Sequence, residues 1–175
     1  MNTSTKKYRY AVTAGILVWL SILAATQEWV PIISDANFIF HEAGHAIFSF
    51  FGDFIQVLAG SAFQIVLPLS IALAFFFRRD VLGATVMLWW GGDNMIGVGR
   101  YIADARAQEL ELFGGGEHDW ANILGRFPHF LPYDTVIGSV IRNLGILLMF
   151  ASVVILIFYF VRSTNQSLEK TTATN

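Results

Sequence analysis

Four apolar stretches, each about as long as a bilayer core is thick, leave this chain few folds to adopt. Arg9 to Val30, Phe54 to Phe77, Val81 to Tyr101 and Thr135 to Val161 all approach or exceed the ~20 residues a helix needs to cross the hydrocarbon. A backbone in hydrocarbon must satisfy its own N–H and C=O groups, and a helix does so within one segment. The predicted fold class is therefore all-α: a polytopic membrane bundle with four spanning helices. A fifth apolar run, Phe38 to Phe51, is too short to cross comfortably. It reads as a short embedded helix, re-entrant or lining a cavity inside the protein.

The punctuation between the runs agrees. Gln27, Glu28, Trp29 and Pro31 combine an aromatic anchor with a helix stop. Asp35 or Asn37 could cap the short helix, and Gly52-Asp53 ends it. Arg78-Arg79-Asp80 is a tight charged turn. Ile102 to Leu112 is predicted as a short helix, followed by Gly114-Gly115-Gly116 and then Glu117-His118-Asp119-Trp120. Residues 1–162 form one integral-membrane domain, and the Ser/Thr/Asn-rich segment 163–175 is expected to be a disordered tail. Lys6, Lys7 and Arg9 place the N-terminus in the cytoplasm, with the first helix uncleaved. If the short helix does not cross, Arg78, Arg79, Arg162 and Lys170 also fall inside, and the polar stretch Ala103 to Asp134 falls outside.

Only 14% of the residues are charged, where a soluble domain carries about one-quarter. The net charge of −2, with no basic run, gives no electrostatic case for nucleic acid. There is no cysteine, which excludes disulfides, thiolate metal sites and a cysteine nucleophile. Any metal site must use His, Asp or Glu.

The short helix carries His41-Glu42-Ala43-Gly44-His45. Residues four apart share a helix face, so the two imidazoles project one turn apart and can reach one zinc ion. Glu42 then sits beside the metal as a general base for water that zinc has made acidic. Ionisable groups at membrane depth are costly and mark function. Satisfied histidines at a polar helix end are the bland alternative. A catalytic zinc needs a third protein ligand. His118 ranks first, Asp119 next, then Asp93 inside the third span, with His129 fourth. A neighbour that does not bind the metal would orient one that does. Gln64, Asn94, Arg142 and Asn143 are polar residues in apolar runs, for which interhelical hydrogen bonding is the default. Gln64 could instead face the site and bind a substrate carbonyl. Asp104 and Arg106 are expected to pair with each other or with neighbours at the membrane surface.

The motif among spanning helices resembles the site-2-protease class of intramembrane zinc metalloproteases. From about Phe38 to Gly138 the chain is similar to a group of small bacterial membrane proteins with His41 to His45 followed by a segment like Gly115 to Trp120. The Asn-x-x-Pro and Asp-Gly pattern of the protease class is absent. The resemblance implies zinc, held by His41 and His45 beside Glu42. It implies a multi-pass protein of the bacterial inner membrane acting on a membrane protein or peptide. A catalytically inactive metal-binding scaffold or regulatory protein is the alternative.

Overall fold

The computed structural model describes residues 3–26, 30–112 and 117–172. Among these there is no strand, and six helices form the fold: α1 (Thr3–Thr26), α2 (Ile33–Phe48), α3 (Asp53–Phe77), α4 (Val81–Ala103), α5 (Asp119–Gly125) and α6 (Asp134–Thr172). Three segments are long and apolar enough to cross a membrane: Lys7–Thr26, Asp53–Phe77 and Leu131–Gln166. Their uncovered faces are apolar: Val12, Trp19, Val66, Phe76, Val140 and Phe150 are all exposed. Such a surface suits lipid and not water.

α4 is not among the three. It packs against α1, α3 and α6, and Trp89, Asp93, Asn94, Ile96, Val98 and Ile102 are buried on it. A helix shielded by its neighbours can carry polar groups that lipid would reject. Its seam with α6 depends on glycine. A Cβ on Gly99 would collide with the Gly138 carbonyl oxygen, and one on Gly92 with that of Gly145. The backbones can approach only because these side chains are absent.

α2 is anchored partway along α4. Asn37, in its second turn, accepts from the Trp90 indole at 2.7 Å and donates to Asp93 at 2.8 Å, midway along α4. Its other end turns through Ser49–Phe51 into the start of α3. The α2 start holds Ile32 at φ 71°, a strained conformation for a β-branched residue. Asp35 accepts from the Ile32 N–H at 2.9 Å, and Ser34 from the Val30 N–H at 2.9 Å, pinning that turn. Asp35 thus braces the helix start, while Asn37 docks it on α4.

One expectation is corrected. The segment 102–112 is not a helix beyond Ala103. The Asp104 carboxylate accepts from the N–H groups of Glu109 and Leu110, which folds the chain into a loop instead. Residues 163–172 continue α6. There Ser163 and Thr164 turn their hydroxyls onto the Phe160 carbonyl, so these polar side chains bond within the helix. Asp104 and Arg106 pair with neighbours rather than with each other, one of the two arrangements expected. Asp104 meets His118, and Arg106 reaches the buried Asp134 at 2.7 Å, tying the loop to the start of α6. The residues Gln27 to Trp29 and Gly114 to Gly116 lie outside the described set.

Candidate metal centre

The helical spacing does what the sequence requires of it. His41 and His45 lie on one face of α2, with Nε2 atoms 3.0 Å apart. Each ring is oriented through its other nitrogen. His41 Nδ1 donates to Gln64 Oε1 at 3.2 Å, and His45 Nδ1 donates to the Gln56 carbonyl at 2.8 Å. A carbonyl oxygen only accepts, so both Nδ1 atoms carry the proton and both Nε2 lone pairs face each other. This is how metal-binding imidazoles are held.

A carboxylate completes the group. Asp119 Oδ2 lies 2.8 Å from His41 Nε2 and 3.1 Å from His45 Nε2. Three acceptor atoms therefore form a triangle, with no protein donor among them. In a tetrahedral site with bonds of ~2.0–2.1 Å, ligand atoms sit ~3.3 Å apart, so this triangle is close to one face of such a site. Without a cation, a proton must relieve the repulsion. The hydrogen bond to Asp119 pushes the His45 imidazole up to about 9, against the opposing effect of burial. Burial alone would raise the Asp119 carboxyl, but the hydrogen bonds from His41 and His45 outweigh it and hold it below the ordinary range.

Glu42 stands differently. Its carboxylate lies within 4.8 Å of both imidazole ligand atoms, and His41, Glu42 and His45 form a group that could hold a metal ion. Asp119 sits within 3.1 Å of both imidazole nitrogens, and Glu42 is exposed to a cavity of about 1680 Å³ that His41, His45, Gln64 and Asp119 also line. The position suits a base beside a metal better than a ligand on it.

Close packing of α2 on α3 makes the cluster possible. A Cβ on Gly60 would lie 2.5 Å from His45 Nε2 and 2.8 Å from His41 Cε1, so the two rings occupy the space a side chain would fill. Next to it, Ser61 accepts from the Trp120 indole at 2.9 Å, which ties α5 to α3 one residue from Asp119. Trp120 is thus an internal tether between α5 and α3.

Of the segment Glu117–Asp119, Asp119 meets the imidazole pair and His118 does not. His118 is buried and turned away. Its Nδ1 accepts from the Ala121 N–H at 3.2 Å to cap α5, and its Nε2 donates to Asp104 at 3.3 Å. With both ring nitrogens engaged, it has none left for a metal. Asp93 faces Asn37, and His129 is exposed in the turn after α5. Gln64 is at the site, where its oxygen holds His41 rather than standing open for substrate. Sequence reading missed Gly60 and Tyr101. It also missed that Asn37 is one turn before His41 on the same helical face, a relation the i, i+4 spacing carries.

Comparison with protein-family models, with curated proteins and with solved structures returns no match for this chain.

Proposed function

We propose that this chain is an integral-membrane zinc metallopeptidase, with His41, His45 and Asp119 as ligands and Glu42 as general base. The observation that carries the reading is the triangle of His41 Nε2, His45 Nε2 and Asp119 Oδ2 beside an exposed Glu42. Two imidazoles and one carboxylate are a common donor set for catalytic zinc, which leaves a fourth position open. When bound, zinc supplies a Lewis acid that polarises a carbonyl and acidifies water. Glu42 takes a proton from water and delivers it to the departing amine. Asp119 and the two imidazoles keep their positions through Gln64, Gln56 and the α5–α3 tether. The cavity, at about 1680 Å³, exceeds the ~300–1,000 Å³ of small-ligand sites, which favours a polypeptide substrate.

In this reading α4 is a fourth crossing helix and α2 is re-entrant. The N-terminus and the Arg78-Arg79 turn face the cytoplasm, and the site opens to the other side of a bacterial inner membrane. The basic clusters support that orientation, as does the proximity of the site to the ends of α1 and α4 and the start of α6: Arg100 donates to the Ala24 carbonyl at 2.8 Å, and Arg106 meets Asp134. Substrates are then membrane proteins or peptides at the outer surface.

The test is to purify wild type and Glu42→Gln in nanodiscs, measure zinc by mass spectrometry, and map cleavage of a membrane-protein library. Both proteins should hold zinc, and cleavage should fall about 10²–10⁴-fold in the variant. Zinc without cleavage in either protein would leave the non-catalytic scaffold as the reading.

A further inference from the structure

We propose that the Tyr101 hydroxyl is a further catalytic group, donating a hydrogen bond to the carbonyl oxygen of the peptide bond under attack; this rests on the hydrolytic reading above. Tyr101 lies in the last turn of α4 and lines the same cavity as Glu42 and the imidazole pair. Its oxygen accepts from the Asp119 backbone N–H at 2.9 Å. That bond fixes the hydroxyl beside the residue whose carboxylate joins the two histidines. It also leaves the phenolic proton to be given away, and among the described residues no acceptor takes it. A hydroxyl that already accepts one hydrogen bond donates the next more strongly.

The ring has little freedom. On one side the His41 ring packs edge-on, with centroids 5.9 Å apart. The His118 ring also packs on it, tilted by 33° with centroids 4.2 Å apart. His118 is itself held by Asp104 and Ala121. The histidine that sequence placed on the metal thus serves as the back wall of a tyrosine aimed at the cavity. A rigid donor directed at developing charge is what stabilises an oxyanion most effectively.

The chemistry balances without a proton from Tyr101. Water adds to the carbonyl carbon, one of its protons passes to Glu42, and the carbonyl oxygen becomes anionic. The C–N bond then breaks as Glu42 returns that proton to the nitrogen. Tyr101 keeps its proton throughout and shortens its hydrogen bond as the oxygen gains charge.

The test uses Tyr101→Phe, which removes one oxygen and keeps the ring. Zinc content is measured first, then the affinity of a peptide hydroxamate, whose carbonyl oxygen stands in for that of the substrate, by calorimetry in nanodiscs. Zinc content should be unchanged, and hydroxamate binding should weaken about tenfold, the worth of one good hydrogen bond. With a cleavable peptide, kcat should fall about 10²–10³-fold at unchanged KM. Unchanged hydroxamate affinity with zinc retained would overturn the proposal. Loss of zinc in Tyr101→Phe would also overturn it, because the residue would then only be positioning Asp119. If zinc-loaded wild type binds no hydroxamate, the hydrolytic reading fails first and this proposal with it.

Discussion

Replacing Gly60 with alanine should abolish tight metal binding without removing any metal-binding group. The added Cβ would stand 2.5 Å from Cε1 and Nε2 of His45 and 2.8 Å from Cε1 of His41, where ordinary contact begins at 3.4 Å. The His45 ring must therefore retreat by about 0.9 Å and the His41 ring by about 0.6 Å to restore van der Waals separation. Metal–ligand distances tolerate only about 0.2 Å. Structural zinc sites bind with about 10–16 kcal/mol over four ligands, so losing one good bond costs about 3 kcal/mol, or about a hundredfold in Kd. The fold should survive, because the displaced atoms are the ends of side chains and alanine favours a helix interior over glycine. Gly44→Ala is the contrast: its Cβ meets the Ala59 backbone oxygen, so it should lower stability by separating α2 from α3. Competitive zinc titration against a chromophoric chelator reads the affinity, and a thermal melt of metal-free protein reads the fold. Wild-type zinc affinity in Gly60→Ala would refute the claim that these two rings converge on one ion above Gly60.

Gln64→Leu should weaken zinc binding about 10–100-fold, since it removes the acceptor that keeps the His41 proton on Nδ1; chelator titration checks this. Zinc affinity should rise with pH up to about 9: below that value His45 is protonated in the metal-free cluster, so binding must release that proton. Proton release on zinc addition, measured in weakly buffered solution at neutral pH, should approach one per chain, and none would contradict the assignment. Asn37→Leu should cut the hydrogen bonds to Trp90 and Asp93 and lower the melting temperature of the metal-free protein.

The legible parts of this molecule are those written in short-range patterns. Two histidines four apart on an apolar helix declare a shared face, and that face is where the structure has them. The shortness of α2 follows from the interruption at Gly52-Asp53. That Asp119 rather than His118 meets the imidazole pair was not legible, for a local reason. His118 and Asp119 are adjacent, and successive residues at a helix start point in quite different directions. The extended backbone of His118, at ψ 110°, turns its ring back to cap α5, and Asp119 is left facing α2. Which of the two faces the imidazole pair depends on where α5 begins, and that is set by contacts distant in sequence: the Trp120–Ser61 bond, the Tyr101 hydroxyl and the Asp104 carboxylate. The loop after Ala103 was misread for a similar reason, because helix-favouring residues there lose to the two backbone bonds made by Asp104. Gly60 gave no signal of its own, as a glycine beside a serine in an apolar helix has many ordinary explanations.

The most direct test of the three-atom metal centre is the zinc content of purified wild type beside Asp119→Ala and His118→Ala, with each protein loaded and dialysed identically. The geometry predicts one zinc per chain in wild type and in His118→Ala, and loss in Asp119→Ala, because Asp119, and not His118, reaches both imidazoles. Zinc kept in Asp119→Ala and lost in His118→Ala would contradict the account.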